Sequence, residues 1–228
     1  GGARWLIGTT PLYSTSKVSL ITEQGDGSFN SDYNASADAR VSGFGDLFVQ
    51  PLGLSWAFPR VDVTLAYGFT APTGRYTTGA DDNVGLGFWT HQVQAWGNFY
   101  PVEDQSTALV LGLTYELNGE LKDADFNPGN RLSLEWAISQ YVSDRMELAV
   151  MGGHNWQVTD DRGSVVDWDT SVHDKKSTLS FTAGYWVWNQ RMQLTAKYAF
   201  DYACAQRFKT NFFMLNLTFL TNALTGSN

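Results

Sequence analysis

Leu109-Val110-Leu111-Gly112-Leu113-Thr114-Tyr115-Glu116-Leu117 decides the fold. Every odd-numbered position carries a leucine or a tyrosine, and the positions between them carry Val110, Gly112, Thr114 and Glu116. Successive side chains of a strand point to opposite faces, so this segment has one wholly apolar face and one mixed, wetter face. The run is also long. Strands in soluble proteins usually extend over about 5 to 6 residues, whereas a strand tilted at about 45° needs about 9 to 11 to cross the hydrocarbon of a membrane.

The same alternation recurs outward in both directions. Val61, Val63, Leu65, Tyr67 and Phe69 oppose Asp62, Thr64, Ala66, Gly68 and Thr70. Leu132, Leu134, Trp136 and Ile138 oppose Arg131, Ser133, Glu135 and Ala137, and Met146, Leu148 and Val150 oppose Glu147, Ala149 and Met151. Leu179 to Val187, Met192 to Phe200 and Phe213 to Phe219 repeat the pattern. Three further runs, 3–20, 44–58 and 84–100, are noisier, and Pro51 shifts the phase of the second, which predicts a bulge there. About ten strands are visible, many of roughly 10 to 14 residues, and no apolar pattern at helical spacing accompanies them.

Connections alternate in length. Short links at 59–60, 101–105, 143–144 and 189–190 alternate with longer polar ones at 22–42, 72–83, 118–130 and 160–176 and with a shorter segment around 203–207. A soluble sandwich has no physical reason to sort loops by parity, but a membrane barrel does, with short periplasmic turns and longer extracellular loops. In lipid every backbone N–H and C=O must be paired, and only a closed sheet lacks an open edge. The fold expected is all-β: a single transmembrane antiparallel up-and-down barrel over residues 1–228. Aromatic residues near strand ends, Trp56, Phe58, Trp89, Phe99, Tyr100, Trp156, Trp188, Tyr202 and Phe219, sit where interfacial girdles belong.

Composition agrees. Of 228 residues 43% are apolar and only 17% charged, with 9 Trp, 10 Tyr and 14 Phe, too apolar and ring-rich for disorder. No stretch approaches the roughly 18 consecutive apolar residues of a membrane helix. A net charge of −8 argues against a nucleic-acid partner, since phosphate binding needs concentrated Lys and Arg. The single cysteine, Cys204, allows no disulfide framework.

Several motifs resemble those of a known family. Gly43-Phe44-Gly45-Asp46 with Gln50-Pro51, Tyr67-Gly68-Phe69-Thr70-Ala71-Pro72-Thr73-Gly74-Arg75-Tyr76, and Asn83-Val84-Gly85-Leu86-Gly87-Phe88-Trp89-Thr90-His91 carry the likeness. It continues through Tyr115 to Glu120, Pro128-Gly129, Leu132 to Val142 and Trp156 to Asp161. Together they resemble the outer-membrane family of meta-pathway phenol-degradation proteins. The resemblance implies a bacterial outer-membrane barrel of twelve strands, associated with uptake of aromatic or other hydrophobic growth substrates. In that family further strands precede the segment resembling Gly2 to Leu20, so the chain reads as a mature or truncated product in which one hairpin is missing. Phe219 is expected to end the last strand, with Leu220 to Asn228 as an extension.

In a channel, function lies on the inward face. Alternation places Glu116, Arg131, Glu135, Glu147, Arg191, Lys197 and Asp201 there, with Gln92, Gln94, Asn98, Asn155 and Gln157. A lipid-facing Lys or Arg would cost about 2 to 4 kcal/mol near the midplane, which favours that assignment. These charges read either as a polar path of mixed sign or as a salt-bridged plug. Phe48, Trp96, Met151, Trp186, Phe212 and Met214 share the face, and either line a route for a hydrophobic solute or fill the barrel. Loop acids, Asp26, Asp32 and Asp38, Asp123 and Asp125, or Asp160, Asp161, Asp167 and Asp169, match no calcium-loop spacing and read as solvated.

The function expected is an outer-membrane channel for passive uptake of small hydrophobic or aromatic molecules, without catalysis, cofactor or metal. Its expected partners are outer-membrane lipid, lipopolysaccharide and the solute, with a monomer as the working unit. Two alternatives stand beside it. One is a barrel enzyme using Asp160, Asp161 and His173 at the extracellular rim, and the other is a soluble carbohydrate-binding sandwich.

Overall fold

The computed structural model describes residues 2–19, 38–188 and 191–219. Alternating runs become strands: β1 (Arg4–Thr10), β2 (Tyr13–Ser19), β3 (Asp38–Phe44), β4 (Leu47–Ala57), β5 (Val61–Ala71), β6 (Thr90–Phe99), β7 (Thr107–Asn118), β8 (Arg131–Ser143), β9 (Met146–Gln157), β10 (Lys175–Val187), β11 (Met192–Ala205) and β12 (Asn211–Phe219). Ten of them form one antiparallel sheet in the order β1-β4-β5-β6-β7-β8-β9-β10-β11-β12, and β2 and β3 pair separately. Apart from β1, every strand of the large sheet has 9 to 14 residues, the membrane-crossing length.

The first noisy run divides because of Pro11, which has no N–H for the ladder. Thr10 pairs with Phe48 before the break, Tyr13 pairs with Phe44 after it, and Gly45 N donates to Leu12 O across the gap at 2.8 Å. β1 with β2, and β3 with β4, are therefore two long legs of one hairpin, kinked at Pro11-Leu12 and Gly45-Asp46. The expected bulge at Pro51 is present: the ladder of β4 with β5 jumps from Val49 to Leu52, and that of β1 with β4 slips between Leu6 and Gly8.

The run at 84–100 becomes a strand only from Thr90. Gly87 adopts a left-handed φ of 78°, and the Leu86 N–H is taken by Asp46 Oδ2 at 2.6 Å, so this stretch belongs to a folded loop. Connection lengths follow the expected parity up to β10, but the last loop of the long set, 206–210, is shorter than the 100–106 turn. Turns at 58–60, 100–106, 144–145 and 188–191 alternate with loops at 72–89, 119–130, 158–174 and 206–210.

Burial is inverted relative to a soluble core. Apart from Trp186, the residues with least exposure are small or polar, among them Ala66, Thr114, Ala137, Ser139, Ser180, Ala199 and Asp201. Leu65, Val93, Leu111, Leu113, Ile138, Phe181 and Leu194 are exposed on the opposite face. A contiguous apolar surface of that kind suits hydrocarbon, and among the described residues the large sheet is not packed face to face on a second one as in a sandwich.

The sheet is curled. Trp96 on β6 and Phe212 on β12 lie six strands apart, which in a flat sheet is about 29 Å at roughly 4.8 Å per strand, yet both line one cavity of about 280 Å³. The expected cylinder is not joined by hydrogen bonds among the described residues, because β1 and β12 form the two edges and no ladder links them. An unpaired backbone group in hydrocarbon costs several kcal/mol, so the membrane would drive these edges toward pairing.

Candidate functional site

The inner face is built by the even-numbered residues of β5, β6, β7 and β10 and the odd-numbered ones of β8, β9 and, up to Asp201, β11, as the ladder partners require. Expected inward residues fall into three tiers along the wall.

Near the long-loop end, Gln94 Nε2 donates to Gln92 Oε1 at 2.9 Å, and Gln92 Nε2 donates to Glu116 Oε1 at 3.1 Å. Arg131 holds Asp174 in a two-pronged ion pair, Nη1 to Oδ1 being 2.7 Å, and also donates to Asn155 Oδ1 at 2.9 Å. Arg207 reaches the same Asn155 oxygen at 2.9 Å and stands 4.0 Å from Asp174. Asp201 is buried and saturated: Lys176 Nζ lies 2.6 Å away, Thr178 Oγ1 donates at 2.6 Å, and the N–H and hydroxyl of Thr210 each donate at 2.7 Å. A buried carboxylate is tolerated only with such a full complement.

Toward the short-turn end, Glu147 accepts from Ser139 Oγ and from Gln193 Nε2, the latter at 3.3 Å. Beside it Trp186 Nε1 donates to Tyr141 Oη at 3.1 Å. Arg191 precedes β11 in the turn and is exposed, so the structure does not bring it onto the wall with the others.

The middle tier is the cavity. Trp96, Met151 and Phe212 contribute apolar surface, Thr178, Ser180 and Asn155 hydroxyl and amide groups, and Glu135 and Lys197 charges. Trp96 lies flat across Gly112 on the neighbouring strand, where there is no room for a Cβ. Among the described residues neither Glu135 nor Lys197 has an ion-pair or hydrogen-bond partner, unlike Arg131, Lys176, Glu116, Glu147 and Asp201.

Sequence reasoning missed Asp174, Lys176 and Thr210. Lys176 was placed in a loop, but β10 starts at Lys175, and the even-numbered series Lys176, Thr178, Ser180, Thr182 was the available signal. Asp174 and Thr210 lie outside any alternation, in loops that fold back to serve wall residues.

On the outer face, rings gather near the long-loop end. His91 stacks on Tyr67, with Tyr67 Oη and His91 Nδ1 2.7 Å apart, and Trp89 contacts Phe69. His154 stacks on Trp156 and meets Tyr202 edge-on. Both histidines thus belong to the aromatic girdle.

Loops at this end are tied together. Asp161 accepts from Gly129 N at 2.8 Å, Gln157 Nε2 at 2.9 Å and Trp168 Nε1 at 3.2 Å, while His173 Nε2 lies 2.8 Å from Asp160 Oδ1. Among the described residues no hydroxyl or thiol hydrogen-bonds the His173 ring, and no group of three or more His, Cys, Asp or Glu could hold a metal ion. Asp125 accepts from Ser164 of a different loop, and Asp169 from Ser171 two residues on, and these bonds lower both carboxyl pKa values from the usual one. Asp26 and Asp32 lie outside the described residues, as do residues 220–228.

Residues 4–217 match the family described as "Putative MetA-pathway of phenol degradation". The chain belongs to this family. The phenol-degradation family assignment is joined by a likeness of fold to an outer membrane channel from Pseudomonas putida F1, known from its crystal structure, with a TM-score of 0.68 and 19% sequence identity. That likeness covers 94% of this chain and 83% of the channel. No curated protein matches the chain.

Proposed function

We propose that this member of the phenol-degradation family is a channel of the bacterial outer membrane through which small apolar or aromatic molecules pass down their own gradients. One observation carries the reading: the strands present large apolar side chains outward and enclose a cavity whose lining mixes Trp96, Met151 and Phe212 with hydroxyl, amide and charged groups. Such a wall has hydrocarbon outside and a semi-polar compartment within, which suits a solute too greasy for a water-filled pore. Long loops then face outward from the cell and short turns face the periplasm, with the Arg131, Asp174 and Arg207 cluster at the outer entrance.

The channel works as a monomer in contact with outer-membrane lipid and lipopolysaccharide, and performs no chemistry. Proteoliposomes test it directly: a toluene-like solute should enter faster than into empty liposomes, and faster relative to that control than a sugar of similar size. Equal rates in loaded and empty liposomes would sink the reading.

A further inference from the structure

Lys197 occupies an unusual position among the inner-face cations. Arg131 and Arg207 share Asp174, and Lys176 is held by Asp201. Lys197 is half-buried, its ladder neighbours are Thr182 and Met214, and no carboxylate lies within 4.0 Å of it among the described residues. An ammonium removed from part of its water without a counter-charge is costly, so an anion arriving beside it is favoured. The other charge on the cavity without a partner is Glu135, three strands away on β8 and not in contact with Lys197.

The remaining lining decides what kind of anion fits. Trp96, Met151 and Phe212 border the same space, and its volume of about 280 Å³ exceeds the roughly 150 Å³ in which an apolar cavity can hold benzene. Aromatic rings favour offset or edge contacts with another ring, and a thioether adds a polarizable surface. Thr178 and Ser180 border the space as well, but their hydroxyl protons go to Asp201 and to the Met151 carbonyl, so they present only acceptor lone pairs to a ring substituent. We infer that this cavity is a binding station for single-ring aromatic molecules carrying one negative charge, the charge resting on Lys197 and the ring among Trp96, Met151 and Phe212, with Glu135 discriminating against a second negative charge.

The inference rests on the channel reading and narrows its solute. A neutral ring would pass without engaging Lys197, whereas a benzoate-type monoanion would pause there. The station must also let go, since conduction requires binding weak enough to leave. A lysine supplies that: a compact point charge on a flexible stem, without the two-pronged grip of arginine.

The test uses the full chain in planar bilayers and in proteoliposomes, with benzoate, benzyl alcohol, acetate and phthalate as probes. Benzoate is expected to interrupt the ionic current at lower concentration than acetate or phthalate. Lys197→Gln should raise the half-blocking benzoate concentration at least tenfold and affect benzyl alcohol uptake far less than it affects benzoate, while Lys197→Arg should stay within about threefold of wild type. Glu135→Gln should bring phthalate close to benzoate. Heat-modifiable gel mobility reports assembly of each variant, and should Lys197→Gln misassemble, the Arg and Glu135→Gln variants still decide. Benzoate block that is equal in wild type and Lys197→Gln, or equal for benzoate and acetate, would overturn the station while benzyl alcohol uptake kept the channel reading intact. No solute entering faster than into empty liposomes would overturn both.

Discussion

Lys176 places its ammonium 2.6 Å from Asp201 Oδ2, and the Asp201 side chain is only 1% exposed. Thr210 closes the group from the loop side with two further hydrogen bonds, so a charge pair on the wall is also the anchor of the 206–210 loop. Asp201→Asn keeps the shape and removes the counter-charge, leaving a mostly covered lysine unpaired. The expected loss is about 3 to 5 kcal/mol, read as a fall in the temperature at which the heat-modifiable band unfolds. Thr210→Val, which removes the hydroxyl's bonds to Asp201 and from Lys176 and spares the backbone one, should cost less, about 1 to 2 kcal/mol.

Facing can be tested with adjacent residues. Leu111 is 53% exposed on the outer face, and Val110 borders the cavity on the inner one. Leu111→Arg should impair assembly in lipid vesicles by about 2 to 4 kcal/mol, as a cation in hydrocarbon does, while Val110→Arg should assemble and reduce conductance. Matching assembly defects in the two variants would mean that the faces have been assigned the wrong way round.

Asp46 controls the neck of the 72–89 loop. Its two carboxylate oxygens accept from Gly74 N at 2.9 Å and Leu86 N at 2.6 Å, where Gly74 and Gly85 pass too closely for either to carry a Cβ. Within the loop Arg75 is held by the Asp82 carbonyl and carboxylate. Asp46→Ala should open the neck and make trypsin cut after Arg75 severalfold faster, with strand content by circular dichroism unchanged. Cleavage at the wild-type rate would show that the clip does not hold the loop.

Tyr100, just beyond β6, donates its hydroxyl to Asp62 Oδ2 at 2.7 Å. Burial first, and then this carboxylate neighbour, push the phenol up to about 12 from its usual 10. The raised value means the folded protein keeps a proton that the unfolded chain loses, so the contribution is fully present below pH 10 and is lost as the pH rises toward 12. Phenolate absorbance should show one late-titrating tyrosine that is missing from Tyr100→Phe, and a wild-type titration without that late step would contradict the bond.

The wall was legible in the sequence because a strand between two unlike solvents must alternate, and Leu109 to Leu117 or Leu179 to Val187 do so apart from Val110 and Trp186. The charges Glu135 and Lys197 could be placed on the inner face by parity alone. What parity could not show was which of them would find partners. Asp174 and Thr210, which satisfy Arg131 and Asp201, come from loops whose return path no periodicity records. The strand break at Gly87 was hidden for a related reason: Val84 to Trp89 reads as apolar alternation, and only the distant Asp46 carboxylate diverts its backbone into a loop.

Across Gly112 lies Trp96, and Trp136 covers Gly152 and Phe48 covers Gly68 in the same manner. Each aromatic and its glycine belong to two strands joined by a short turn, β6 with β7, β8 with β9, and β4 with β5. Sliding β8 by two residues along β9 would drive Trp136 onto Val150 or His154 instead of an empty groove. Each such hairpin therefore carries its own alignment key, legible to the chain before any distant strand arrives, and the wall can be put together from prealigned pairs like staves cut to length before the cask is raised.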